Sequence, residues 1–269
     1  MAITGHRLVG SRSVVARNWA TSSSNRIHSD DVAAQYGFRG GLVPGVTTIA
    51  YLLPGVIRAL GGSWLYGGAL SARLTVPVYD GETITVDSYD DGVVRVVGSA
   101  GDDDRVVATA RLETPFVVDV ASFPARPLPV SRPPAGPEVL APGVALGTVR
   151  HTATVTAARQ YLAAINDAFP CCGDVALPVG WALLDANEVL VANVVLGPWI
   201  HVQSDIHVRG PIPDGAQLET RALVTAEYEK KGHRFVELDV LVLANMVPVV
   251  LVHHTALYRL RPPAFHPDG

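Results

Sequence analysis

A turn-and-strand pattern occurs twice in this chain, and any fold has to accommodate both copies. Pro77-Val78-Tyr79-Asp80-Gly81 leads into Glu82 to Asp87, and Pro211-Ile212-Pro213-Asp214-Gly215 leads into Ala216 to Thr220. In each copy an Asp-Gly turn precedes the polar–apolar alternation of a half-buried strand. Thr83, Thr85 and Asp87 fall on one face, Ile84 and Val86 on the other. Hairpin breaks follow at Asp90-Asp91-Gly92 and at Glu229-Lys230-Lys231-Gly232. Strands are expected to close the copies at Arg105 to Leu112 and at Val249 to Leu260. Val240 to Val252 is apolar but interrupted by Asn245 and Pro248, so it reads as two buried strands joined by a turn.

Each copy also carries an apolar helix candidate ahead of its strands. The first runs from about Val46 to Leu60, between Pro44-Gly45 and Gly61-Gly62, which is ordinary helix punctuation. Pro54 inside it predicts a kink or an early break. The second runs from about Trp181 to Asn193 after Pro178-Val179-Gly180, and it is apolar nearly all round, as a buried helix is. Eight of the 20 prolines fall between Pro115 and Pro142, where they can supply neither ladder donors nor helix interiors. The expected organisation is a first unit over 1–114, a Pro-rich linker over 115–144 and a second unit over 145–269. A buried helix with an antiparallel sheet, repeated twice, is an α+β reading.

Composition narrows the function classes. Apolar residues make up 48% of the chain and charged residues 17%, enough for a sizeable core. A net charge of −4 without a basic block argues against a nucleic-acid partner. Cys171 and Cys172 are the only cysteines, and being adjacent they build neither a disulfide framework nor a metal knuckle. No signal-like apolar core lies between Met1 and Arg17, and no membrane-length apolar run occurs. The expectation is a cytoplasmic protein with no membrane partner.

The chemistry-bearing stretch is Ser23-Ser24-Asn25-Arg26-Ile27-His28-Ser29-Asp30-Asp31, followed by Tyr36-Gly37-Phe38 and Gly40-Gly41-Leu42-Val43-Pro44-Gly45. It resembles the MaoC-like dehydratase and (R)-specific enoyl-CoA hydratase family, whose motif runs Asp-x-Asn-Pro-Ile-His into a helix, a glycine-rich turn and a central helix. Asn25, Ile27, His28, Asp30 and the turn to Gly45 match. The resemblance implies a double hotdog: two fused units, each an antiparallel sheet around a central helix. Arg26 replaces the motif proline, and Ser23 stands at the catalytic aspartate. A serine hydroxyl orients water but is too weak a base to deprotonate it. The second unit keeps the complementary remnant in Asp167-Ala168-Phe169-Pro170-Cys171-Cys172, with Cys172 at the histidine position.

The resemblance implies hydration or dehydration of an enoyl or 3-hydroxyacyl thioester of coenzyme A or an acyl carrier protein, a hydro-lyase needing no cofactor. His28 would be the acid–base, Asn25 and Ser23 would hold water, and Gly45 and Val46 would polarise the carbonyl, with Gly41 and Pro44 completing the substrate contacts. Two alternatives stand beside it. One is a non-catalytic acyl-thioester binding protein. The other is a thioesterase, whose carboxylate Asp185 or Glu188 on the second helix would supply. Bland roles also fit: a packed His28, a turn-forming Asn25, Asp30 as cap of a helix over Asp31 to Tyr36, Asp167 as a turn residue and Cys172 as a buried bystander. No metal site is expected: His253 and His254 point to opposite faces of a strand, and carboxylates are sparse near His201 and His207. Two fused units would form a pseudo-dimer within one chain, and a further homodimer is compatible with that.

Overall fold

The computed structural model describes residues 7–90, 92–114, 117–167 and 179–261. Cys172, Cys171, Phe169, Pro178 and Asp91 therefore lie outside the described residues. The first unit contributes strands β1 (Arg7–Val15), β2 (Gly68–Leu74), β3 (Thr83–Asp90), β4 (Val94–Ala100) and β5 (Asp103–Leu112). The second contributes β6 (Val149–Thr152), β7 (Ile200–Val208), β8 (Gln217–Lys230), β9 (His233–Ala244) and β10 (Val247–Arg259). All ten form one sheet in the order β1-β3-β4-β5-β2-β7-β10-β9-β8-β6. The order inverts about the antiparallel β2·β7 ladder, so the two halves are matched strand for strand. The repeat read from the two Asp-Gly turns is thus a repeat in space.

The first helix candidate is two helices, α2 (Gly45–Ala50) and α3 (Leu53–Leu60), after a short α1 (Asp30–Gln35). The break falls at Tyr51 and Leu52, because Pro54 has no N–H to give to the carbonyl of Ala50. A one-turn helix α4 (Trp64–Gly67) then leads into β2. The second candidate is one helix, α6 (Val179–Asn193), preceded by α5 (Val155–Ala164). Helices α2 and α6 pack on each other, with Gly180 against Ala50. One continuous core, including Ile49, Leu52, Leu183 and Leu190, fills the space between helices and sheet.

Several local expectations resolve into detail. The β9–β10 turn is Asn245-Met246, both at positive φ, and Pro248 lies beyond the stretch of β10 that pairs with β7. The β8–β9 turn is Lys231-Gly232, again at positive φ. Strand β8 runs ten residues past Thr220, the end expected from the sequence, because its alternation continues with Ala222 and Val224 pointing inward. The proline-rich stretch packs along the second unit: Leu140 is buried, Phe123 packs on Leu241 and Leu243, and Pro133 and Ala135 bond to the backbone of Val195. The outer edges of the sheet are β1, with a bulge between Leu8 and Gly10, and the four-residue β6.

Beneath the centre of the sheet lie two stacked imidazoles. His201 of β7 and His254 of β10 stack at 4.3 Å, and the Ser204 hydroxyl lies 2.9 Å from His201 Nε2 and 3.2 Å from His254 Nδ1. His201 Nδ1 and His254 Nε2 have no protein partner. Burial lowers both pKa values, that of His201 to about 4, and the neighbouring imidazole lowers that of His254 further. Both rings are neutral in the folded protein and gain protons on unfolding at mildly acidic pH. Their contribution to stability is present above pH 6.5 and is lost as pH falls toward 4, by roughly 3 kcal/mol for His201. Denaturant unfolding followed against pH should show that decline beginning near 6.5. His254→Phe should make it shallower, leaving the His201 share; an unchanged slope would assign the remaining acid sensitivity to other groups.

Candidate active site

The motif stretch folds as a hook around a small core of its own. Ile27 is buried with Ala33 and Leu42, backed by Tyr36, Phe38 and Tyr79. Arg26 to His28 form a single 3-10 turn, in which the Asn25 side chain caps the N–H of Ile27. Asp30 does not cap α1; Ser29 holds that place. Instead its Oδ1 accepts the N–H of Gly41 at 2.7 Å, tying the helix start to the glycine-rich turn. Asp31 lies in the first turn of α1, paired with Arg26 at 3.4 Å, and hydrogen bonding from Ser29 lowers its pKa.

Asn25 fixes the imidazole of His28. Its Oδ1 accepts the N–H of Trp199 at 3.2 Å, while its Nδ2 donates to the carbonyl of the same residue at 3.0 Å. Two opposed bonds to the backbone of one residue fix which end of the amide is nitrogen. That nitrogen faces His28 Nε2 at 3.3 Å, and on the other side of the ring Nδ1 meets the carbonyl of Leu42 at 2.7 Å. Nδ1 therefore carries the proton, and Nε2 presents a lone pair. Burial lowers the pKa of His28, with the Leu42 bond opposing. The ring is a neutral base at pH 7.

His28, Asn25, Ser23, Pro44 and Val46 line one cavity of about 500 Å³. Its other wall belongs to the second unit, with Trp181, Leu184, Asp185, Glu188 and Val191 of α6 and His151 of β6. Trp19, Tyr161 and Trp181 make an edge-to-face series spanning both units. Two buried atoms of lining residues, Trp181 Nε1 and Asn187 Oδ1, have no protein partner. Buried polar atoms are ordinarily paired, so these two stand out as unsatisfied.

The remaining expected residues take other positions. The Ser23 hydroxyl donates to the carbonyl of Asn25 at 3.2 Å. Gly41 is not part of the cavity lining: a Cβ there would lie 2.2 Å from the carbonyl oxygen of His28, so its bare backbone seats the histidine. Gly45 borders the narrow spaces behind His28, and a Cβ there would meet Leu74 at 2.5 Å and His201 at 2.9 Å. The close approach that requires glycine is thus to protein. Asp167 bonds Arg12 of β1 at 2.6 Å and is not a lining residue, so the aspartate of the second unit does not join His28.

Sequence reasoning missed His151. Its Nε2 lies 2.8 Å from Asp185 Oδ1 and 3.1 Å from Oδ2, and Thr220 donates its hydroxyl to Oδ2 at 3.0 Å. Asp185 raises the pKa of His151, chiefly through that hydrogen bond. Glu188, one turn along α6, is held above the usual carboxylate range by desolvation and then by Asp185. Asp185 and Glu188 are neighbours by helical spacing, but nothing in the sequence ties residue 151 to them. The one signal was polar residues on an otherwise apolar helix. Among the described residues, no three His, Cys, Asp or Glu side chains gather as a metal site, and no helix is long and apolar enough to cross a membrane.

No protein-family model matches the chain, and no curated protein matches it in sequence. Solved structures do. A conserved Mycobacterium tuberculosis protein with a double hotdog fold superposes with a TM-score of 0.60 at 14% identity, over 95% of this chain and 96% of that one. This is a double hotdog. A Chloroflexus aurantiacus protein described as a MaoC domain dehydratase matches this double hotdog with a TM-score of 0.57 at 11% identity, over 94% and 96% of the two chains. A Lactobacillus plantarum protein described as an oleoyl thioesterase gives 0.54 at 12%, over 96% and 98%. At such identities the likeness is one of fold.

Two outcomes follow from the packing of this double hotdog. Gly41→Ala should cost about 1–3 kcal/mol by overpacking against His28. Gly40→Ala, whose nearest neighbour would be Asp30 Oδ1 at 3.2 Å, should cost less; thermal melts compare the two. Asp185→Asn should lower the pKa of His151, read by NMR titration of its ring protons.

Proposed function

We propose that the cavity processes acyl thioesters, and that its reaction is hydration of an enoyl thioester or the reverse dehydration. The observation that carries this is the orientation of His28: a neutral imidazole, held in one tautomer by Asn25 and Leu42, on a largely apolar cavity. In hydration, the Asn25 N–H gives up the Nε2 lone pair, and water adds its oxygen to the β-carbon as it gives a proton to His28 Nε2. The α-carbon then takes a proton from an acid. Ser23 is unsuited to that role, and Glu188 across the cavity is suited to it. Burial lowers the pKa of His28 and raises that of Glu188, so a neutral imidazole and a protonated carboxyl are drawn toward coexistence. The proton gained by His28 returns to Glu188 through solvent, which closes the cycle. The first-turn N–H groups of Gly45 and Val46 are the donors proposed for the thioester carbonyl.

A second reading has one observation in its favour. The His151–Asp185–Thr220 network lies on the same cavity, and a carboxylate-oriented imidazole suits water attack on the thioester carbonyl. There the carbon–sulfur bond breaks and the thiol departs with a proton.

Enoyl-CoA turnover measured by loss of the conjugated chromophore, alongside thiol release, separates the readings. Hydration should fall at least about 100-fold in His28→Ala and also fall in Glu188→Gln. Its pH profile should be bell-shaped, with the optimum on the acid side of neutrality. Thiol release that depends on Asp185 and not on His28 would favour hydrolysis. Absence of hydration by the wild type, or indifference to His28→Ala, would overturn the first reading.

A further inference from the structure

A second cavity, of about 410 Å³, opens on the face of the sheet away from the helices. The chain has two lysines among its 21 basic residues, Lys230 and Lys231, and both line this cleft together with Arg73 and His233. Among the described residues, none of Arg73, Lys230 and Lys231 takes part in an ion pair. The neighbouring acids are engaged: Glu237 accepts from Tyr228 Oη at 3.0 Å and lies 3.5 Å from His253 Nε2, while Asp205 accepts from Gln203 at 3.4 Å. The cleft also holds Tyr228 and Phe235, stacked at 5.3 Å with their planes 9° apart. Free cations beside a flat aromatic surface suit a phosphorylated purine.

Lys231 is placed at some cost. It has φ 54°, in the left-handed region that turn residues such as Asn and Gly adopt readily. Asn245 holds the equivalent place in the next hairpin.

Neighbouring residues border the cleft and the reaction cavity. The cleft shares Val202 with a space of about 120 Å³ around the ends of β2 and β7. That space shares Gly45, Ile200 and His201 with a waist of about 20 Å³ that reaches Asn25 and His28. We propose that this cleft binds the adenosine phosphates of coenzyme A, so that the slender pantetheine arm passes round the sheet end toward His28. The inference rests on the acyl-thioester reading above and assigns the carrier within it.

The test is calorimetric binding of free coenzyme A, dephospho-coenzyme A and pantetheine. It uses the wild type, Lys230→Gln/Lys231→Asn, Arg73→Gln and His28→Ala. Asn relieves the backbone at 231, so an unchanged melting temperature should accompany any loss of binding. Coenzyme A should bind at least tenfold more weakly to the double-lysine variant and to Arg73→Gln, and should bind His28→Ala as it binds the wild type. Dephospho-coenzyme A should bind more weakly than coenzyme A, and pantetheine should lose the lysine dependence. Equal affinity of coenzyme A for wild type and both cleft variants overturns the inference, as does turnover confined to carrier-protein thioesters without coenzyme A binding. Lysine-dependent binding with no turnover of any thioester leaves the inference standing and removes the proposed reaction. Turnover of pantetheine and coenzyme A thioesters with equal KM does the opposite.

Discussion

The backbone ladder between β2 and β7 decides what the rest of the molecule can be. Either unit alone would end in a strand with a row of unpaired N–H and C=O groups, an edge that invites pairing. Joining the two edges satisfies those groups and makes one sheet of ten strands. The join also puts the helices of both units on one face, with α2 against α6. The large cavity exists because of it, since one wall comes from the motif loop of the first unit and the other from α6 and β6 of the second. Asn25 is the finest expression of the same constraint. Its amide aligns His28 only by bonding to Trp199, at the threshold of β7.

Much of the architecture was legible because it rests on local rules. The Asp-Gly turns, the alternation after them and the apolar helices each follow from backbone preferences that a few neighbouring residues express. Pro54 announced the break between α2 and α3 for the same reason. The edge strands β1 and β6 and helix α5 were not read, because their patterns are short or half-exposed, and central β2 was not read either, because its Gly, Ala, Leu and Ser residues carry little strand preference. Strand β8 was read too short for a related reason: its later residues are partly exposed and contain charges, and only pairing with β9 shows that they continue the ladder.

The site divides the same way. Asn25 and His28 could be singled out because three residues separate them and a short turn brings their side chains together. His151, Asp185 and Thr220 come from β6, α6 and β8, and no sequence spacing records their meeting. The glycines were identified as special for a reason that the packing revises. Gly41 and Gly45 are bare because His28, His201 and Leu74 press on them. Position 23 carries a serine, and the carboxylates on the cavity, Asp185 and Glu188, come from the other unit. The two halves thus differ in chemistry while matching in shape.

The outer margins of the sheet carry a last implication. One is kinked by the bulge near Gly10, and the other is four residues long. Neither offers the straight, extended template on which a neighbouring molecule could continue the ladder. A bulged margin and a four-residue one are poor templates for lateral addition of another sheet.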